Sequence, residues 1–342
     1  MNQPQEEICF IKSDWDSIPG MQRFSHEAMA TTFEVIILHE DARYAQQAAQ
    51  AAFDELDRLE AELSRFIENS DISRINNLAP KGSLRVGLAA FECLQISTRI
   101  YDETNGAFDI TIGSLLGCWL NEDKTMRTPS QQQLNLARER TGIHFLELDE
   151  AEHTVQVPSN PVQIDLGGIG KGYAVDRMAE LLRDWSIDTA VIHGGYSSVL
   201  ALDAPPPFCF TKTKQRGQTK GWPLTLSNPL NRKQTLAGLH LQGRALSGSG
   251  LQQGRHIIDP RTARPVEGKR AAWACAPDAA TADALSTTFM VMNPDEVKEY
   301  CSNHPDTLAM IVLEDGGEET QKDRILHFGP WKESEPPARL SG

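Results

Sequence analysis

The chain has no uninterrupted apolar stretch long enough to span a bilayer. Its start, Met1 to Asp16, lacks the basic patch and following apolar run of a secretion signal. Both absences point to a cytoplasmic protein. Cysteine is sparse: Cys9, Cys93, Cys118, Cys209, Cys275 and Cys301 are scattered, and no two have the short spacing of a zinc knuckle or redox pair. They read as reduced structural thiols. Basic charge is in deficit, 33 Lys and Arg against 47 Asp and Glu, a formal net charge of −14. That balance argues against a general nucleic-acid binder, which needs a cationic face. It leaves room for a local basic pocket. Internal repeats and low-complexity tracts are absent. What remains, 342 residues with 40% hydrophobic and 23% charged, is enough for one large core or two closely packed domains.

Periodicity predicts a mixed α/β chain. Residues 1–24 read as a loosely packed lead-in. Phe33 to Leu38 reads as a buried strand, and residues 42–66 as a helix whose core stripe is Phe53, Leu56, Leu59, Leu63 and Phe66. Ser70 or Asp71 can cap a short turn. Helices are predicted over 86–104, 130–141, 174–185 and 283–292, the last resuming after Pro294. Strands are predicted over 145–148, 154–157, 162–166, 189–193, 222–226, 236–241, 271–275 and 308–313, with 197–202 continuing the one before it. Residues 245–265 read as ordered loop. Residues 203–223 hold Pro205 to Pro207 and the basic cluster Lys212, Lys214, Arg216 and Lys220. They read as a surface loop or as a basic contact surface. The domain layout expected is a lead-in over 1–24, one two-part domain over 25–331, and a flexible tail over 332–342.

Three constellations carry chemistry. The first is Asp165-Leu-Gly-Gly-Ile-Gly-Lys171-Gly-Tyr173, with Asp176 one turn on. Glycines between a strand and a helix let backbone approach a ligand, and a helix N-terminus favours phosphate. The spacing is neither the dinucleotide fingerprint nor a P-loop. It fits a phosphate site or a tight structural turn. The second is Asp283 and Thr287, four apart and on one helix face. A carboxylate and a hydroxyl form a partial magnesium shell. Locally, an N-cap aspartate with a back-bonding threonine explains them as well. The third is Ser247-Gly-Ser249-Gly250 followed by Arg255, His256, Ile257, Ile258 and Asp259. His256 can act as a base or serve as a structural histidine. Neither serine sits in the frame of a nucleophile elbow.

Taken in order, these segments resemble the ApbE family of flavin transferases. The likeness spans about Met29 to Met292. It is carried by MATTFE (29–34), SRFIENSDISRIN (64–76), GAFDITIGSLLGCW (106–119), IDLGGIGKGYAVD (164–176), HGG (193–195), SGSG (247–250), HIIDP (256–260) and ADALSTTF (282–289). This chain has Met29-Ala30-Thr31 where the family usually has Met-Gly-Thr, which adds a methyl group. It has Ser247-Gly248-Ser249-Gly250 for the usual Ser-Thr-Ser-Gly, which removes a hydroxyl.

The resemblance implies an α/β fold related to the tunnelling fold, with a smaller α/β part closing over FAD. It implies that Asp283, Thr287 and the backbone of Gly168 hold Mg2+. Met29, Phe66, Ala107, Phe108, Asp109, Asp165 and Lys171 would line the FAD pocket. Arg255, His256, Ile257 and Ile258 would face the pyrophosphate and isoalloxazine. His256 would deprotonate an acceptor hydroxyl, with Asp283 and Lys171 assisting at the phosphate. The implied reaction moves FMN from FAD to a threonine or serine of a separate acceptor flavoprotein, releasing AMP. Subunits of membrane redox complexes are among the acceptors so implied. The alternatives are a FAD pyrophosphate hydrolase and a non-catalytic FAD-binding protein.

Overall fold

The computed structural model describes residues 11–12, 20–121, 125–204, 221–228, 231–251, 256–314 and 324–331. The chain opens with β1 (Ile11–Lys12), β2 (Met21–Ala28) and β3 (Thr31–Leu38). β2 and β3 form a hairpin whose two turn residues, Met29 and Ala30, have φ of +50° and +58°. Two left-handed residues give the turn whose twist matches the paired strands. β2 crosses residue 24, so the expected lead-in ends inside the sheet rather than before it. Every residue from Met21 to Ala28 has a partner on β3, and that pairing draws the segment in.

Helix α1 (Ala42–Leu63) starts at Asp41, whose carboxylate accepts from the Arg43 and Tyr44 N–H groups. It buries Phe53, Leu56, Leu59 and Leu63 as the stripe predicts. Phe66 corrects that stripe. The helix ends at Leu63, Ser64 turns extended, and Phe66 is 82% exposed. Next come α2 (Asp71–Asn76), capped by the Ser70 hydroxyl, and β4 (Gly82–Arg85). They are followed by α3 (Leu88–Glu103), α4 (Gly113–Trp119), α5 (Gln131–Arg138), β5 (Glu147–Asp149) and β6 (Thr154–Val157).

Residues 162–166 are not the predicted strand. The Asn76 side chain takes both backbone groups of Ile164, accepting from its N–H at 2.6 Å and donating to its carbonyl at 3.0 Å. A single bridge joins Gln163 to Ile112. Helix α6 begins earlier than predicted, at Gly170, inside the glycine motif, and runs to Asp184. β7 (Ala190–Gly194) and β8 (Ser198–Ala201) form an antiparallel hairpin, not one continued strand. Gly195 makes the reversal at φ +66°.

β9 (Trp222–Asn228) and β10 (Asn231–Leu241) precede β11 (Arg244–Gly250). The Ser-Gly-Ser-Gly segment therefore lies in a strand, where the sequence predicts loop. Its small residues fit a central position in the sheet, between β8 and residues 271–276. β12 (Ile258–Asp259), β13 (Arg264–Pro265), β14 (Lys269–Ala276), α7 (Ala279–Val291), α8 (Pro294–Asn303), β15 (Leu308–Leu313) and β16 (Arg324–Phe328) complete the order.

Eight strands form one antiparallel sheet, β16-β15-β14-β11-β8-β7-β3-β2. Alternation sends its two faces to different cores. Phe33, Val35 and Ile37 with Ala272, Ala274 and Ala276 face the helices α1, α3, α6 and α7. Ile36 with Ala271, Trp273 and Cys275 faces the small sheet β1-β9-β10 and its buried Trp222, Leu224 and Leu226. The alanines of β14 let α7 lie close, and α7 is buried on nearly every side. A third cluster, Leu115, Ala137, Ile258 and Ala263, ties α4 and α5 to the β12–β13 hairpin. No disulfide joins the described cysteines, Cys93, Cys118, Cys275 and Cys301. Among the described residues, no helix is long and apolar enough to cross a membrane.

Candidate active site

The glycine motif and α7 meet at one carboxylate. Asp283 is 3% exposed and sits in the middle of α7. Its Oδ2 accepts from the Gly172 N–H at 3.1 Å and lies 3.6 Å from the Lys171 ammonium. Its Oδ1 accepts from two hydroxyls, Ser247 at 3.0 Å and Ser198 at 3.1 Å. Helix α6 has no side-chain N-cap of its own. Asp283 takes one of the N–H groups left at that end from across the helix interface, where a carboxylate also suits the positive end of the dipole.

A close approach makes this contact. A Cβ on Gly172 would lie 2.1 Å from the Ala279 carbonyl and 2.8 Å from the Asp283 Cβ. Only glycine fits between α6 and α7 there. Gly168 stands over the next turn of α7, where its Cβ would lie 3.4 Å from both the Thr287 hydroxyl and the Phe108 ring. Thr287 Oγ1 pairs with Ser249 Oγ at 3.0 Å, and Ser249 also meets Ser286 at 2.8 Å.

The local explanation of Asp283 and Thr287 belongs to their neighbours instead. Asp278 is the N-cap of α7, accepting from the Thr281 N–H at 2.7 Å. Thr288 is the back-bonding threonine, donating to the Ala284 carbonyl at 2.7 Å. That leaves Asp283 and Thr287 directed at the glycine loop and β11.

Asp165 opens the same glycine loop. Asp165 Oδ1 accepts from the Gly167 N–H at 2.7 Å, and its Oδ2 pairs with Arg65 at 3.0 Å. The Arg65 guanidinium lies 4.6 Å from the centroid of the exposed Phe66 ring. Lys171 also donates to the Gly167 carbonyl at 3.4 Å. The Met29 N–H donates to Glu60 at 2.8 Å, which fixes the hairpin turn on α1. The HGG segment closes the same region: a Cβ on Gly195 would lie 2.6 Å from the Thr31 hydroxyl, and one on Gly194 3.6 Å from the Lys171 carbonyl.

Ala107, Phe108 and Asp109 are buried. The Asp109 carboxyl is pushed up by burial, against the Thr111 hydroxyl and N–H that donate to it. His256 is half-buried, two residues ahead of β12. The side chains of Ile257 and Ile258 are committed to packing, one in the main core and one in the smallest cluster. Arg255 and the basic cluster Lys212, Lys214, Arg216 and Lys220 lie outside the described residues.

Sequence reasoning misses Ser198 and Arg65 as members of the site. Ser198 reaches Asp283 only because β8 pairs with β11 so that Ser198 faces Ser247. Nothing in the local sequence carries that register. Arg65 stands in the segment SRFIENSDISRIN, but its partner is a hundred residues away in sequence.

No cluster of three or more His, Cys, Asp or Glu side chains able to hold a metal occurs among the described residues. The donor set at hand is of another kind: one carboxylate, one hydroxyl and the nearby backbone of Gly168. Hard oxygen donors with a single charge suit a magnesium ion that completes its shell with water and phosphate.

The chain is similar to known proteins over most of its length. A protein of Klebsiella pneumoniae named FAD:protein FMN transferase is 27% identical over 312 residues, covering 86% of this chain and 85% of its own length. Its namesake in Escherichia coli K12 is 26% identical over 303 residues, covering 84% of this chain and 83% of its own length. The ApbE protein of Thermotoga maritima superposes with a TM-score of 0.75 at 25% identity, over 90% of this chain and 97% of that one. The flavinyl transferase ApbE of Pseudomonas stutzeri, 22% identical, shares the fold with a TM-score of 0.77, over 90% of this chain and 94% of that one. The ApbE family model matches residues 29–312, a span that contains the glycine loop, the paired serines and both Asp283 and Thr287 of α7, and the chain belongs to the ApbE family.

Proposed function

We propose that this chain is a magnesium-dependent FAD:protein FMN transferase, moving FMN from FAD to a threonine or serine hydroxyl of an acceptor protein. Its family makes it an enzyme of flavin transfer. The observation that carries the finer reading is the approach of the glycine loop to two successive turns of α7, Lys171 to Asp283 at 3.6 Å and Gly168 to the Thr287 hydroxyl. This is a hard-oxygen donor set beside an ammonium and a glycine-rich loop.

The glycine loop admits the pyrophosphate of FAD at backbone distance, and Lys171 meets its negative charge. Phe66, exposed beside Arg65, offers a ring face for the flavin end. Asp283, Thr287 and the Gly168 carbonyl would hold magnesium, which would supply charge neutralisation at the phosphates. His256 accepts the proton of the acceptor hydroxyl. The hydroxyl oxygen forms a bond to the FMN phosphorus, the bond from that phosphorus to the bridging oxygen breaks, and AMP leaves. The product is a phosphodiester between FMN and the acceptor.

The test is in-gel flavin fluorescence of an acceptor domain incubated with enzyme and FAD, with magnesium or with a chelator. Labelling that needs magnesium supports the reading; equal labelling with the chelator removes the metal from it. Release of AMP without any acceptor would instead identify a FAD hydrolase. His256→Ala should keep FAD affinity within about tenfold and lose transfer by about 10²–10⁴-fold, the usual cost of a missing general base. Transfer near the wild-type rate would assign the proton to another group.

A further inference from the structure

The carboxylate of Asp176 takes part in none of the chemistry above, yet it is bound at both oxygens. It lies on α6, one turn beyond Gly172. One oxygen accepts from the Ala279 N–H at 2.7 Å, the other from the Ala280 N–H at 2.8 Å. These are the first two residues of α7. The third N–H of that helix already has its own cap in Asp278. Two carboxylates thus serve one helix end, and an ordinary N-cap needs only one.

This second carboxylate is held against resistance. Burial pushes the Asp176 carboxyl up to about 7, with the charge of Asp278 adding to it, although both N–H bonds favour the anion. Helix capping by itself does not call for a buried acid there. The geometry around it does. Gly172 and Asp176 are successive turns of one face of α6. Ala279 and Asp283 are successive turns of one face of α7. Asp176 grips the first of these α7 turns through two N–H bonds. The Gly172 N–H grips the second through Asp283. Two attachments a turn apart fix both the slide and the rotation of α7 along α6. Only a carboxylate can accept from two neighbouring N–H groups with two equivalent oxygens.

We propose that Asp176 is a positioning residue that sets the register of α7 on α6 and so aims Asp283 and Thr287 at the glycine loop. The inference rests on the reading of those two side chains as the magnesium–phosphate site. Metal affinity and phosphate alignment then depend on a group one turn of helix removed from the chemistry. Positioning partners of metal ligands commonly change affinity by about 10–100-fold when lost.

The test compares Asp176→Asn with Asp278→Ala in the full-length chain. Asp176→Asn keeps the shape of the side chain but replaces one acceptor oxygen with a donor. Asp278→Ala removes the ordinary cap of the same helix and so reports the effect of a weakened α7 alone. Three readouts are taken: the magnesium concentration giving half-maximal transfer, the split between kcat and KM for FAD, and hydrogen exchange of peptides covering 167–176 and 279–288. Asp176→Asn is expected to raise the magnesium requirement by at least about tenfold and to lower kcat, with KM for FAD within about threefold. Exchange should quicken at both peptides together. Asp278→Ala should leave the magnesium requirement within about threefold.

An unchanged magnesium requirement in Asp176→Asn, or an equal rise in both variants, overturns the proposal. Wild-type enzyme that transfers without magnesium would overturn the metal reading itself. In that event coupled exchange of the two peptides still decides whether Asp176 sets the helix register. A change confined to 279–288 would reduce Asp176 to a second cap.

Discussion

Asp283 is solvated inside the protein by three accepted hydrogen bonds, one from backbone and two from serine hydroxyls, with an ammonium close by. Hydrogen bonds to a charged group contribute about 1.5–3 kcal/mol each. Removing Ser198 therefore loosens Asp283 without touching any residue of the glycine loop. We expect Ser198→Ala to weaken magnesium-supported transfer by about tenfold, read as a shift in the magnesium titration, with KM for FAD little changed. An unshifted titration would reduce Ser198 to a packing residue. Asp283, Thr287, Lys171 and Gly168 are legible in the sequence, because each stands in a short motif with its neighbours. Ser198 is not, because its contribution is a strand register rather than a motif. Phe66 is legible twice in incompatible ways, as core by its spacing and as flavin contact by resemblance. Its 82% exposure removes the core assignment, since the helix that would have turned it inward stops three residues earlier.

Elements show the same division between pattern and position. The amphipathic stripe locates α1, and the apolar runs of β3 and β15 locate those strands. α7 has no such stripe, being buried on nearly every side, so periodicity places its start four residues late, at Asp283. Its real limits are set by its own cap Asp278 and by Asp176 at the start, and by Lys269 at the end. The buried Lys269 ammonium donates to the Phe289, Met290 and Met292 carbonyls, the groups that a helix leaves without partners. The β2–β3 turn is a second case. Ala30 occupies a left-handed conformation at φ +58°, which favours glycine. This gives the chain's alanine at the middle position of its Met-Ala-Thr segment a measurable cost. Ala30→Gly should raise stability by about 0.5–1 kcal/mol, seen as a higher denaturant midpoint at constant m-value. A lower midpoint would mean that the alanine methyl packs well enough to offset the strain.

A central sheet is held between two apolar layers, and a sensitivity to acid is expected from that arrangement. His193 lies on β7, an interior strand of the sheet, and is pulled down to about 4 by burial and then by the charge of Arg23. An unfolded histidine titrates near 6.5. Between about pH 6.5 and pH 4 the unfolded chain binds a proton that the folded chain does not. Stability should therefore fall as pH falls through that window, by about 3 kcal/mol in all from this one group. Denaturant titrations of wild type and His193→Asn across the window would isolate the term, because the carboxylates contribute alike to both. Parallel slopes for the two proteins would show that His193 ionises freely.

The sequence by itself determined the mixed α/β class, most helices and strands, and the short motifs that hold Asp283, Thr287, Lys171 and Gly168. These are properties of local spacing and of short motifs, and local spacing survives without knowledge of distant partners. Only the tertiary structure decided which neighbours those residues keep. It put Ser198 opposite Ser247, made a strand of Ser247 to Gly250 between β8 and β14, and left residues 162–166 bound to the Asn76 side chain instead of a sheet. It also placed Asp176 under the first turn of α7. Each of these depends on hydrogen-bond partners tens to more than a hundred residues apart, whose pairing is selected by packing of the whole core and leaves no local periodicity to read.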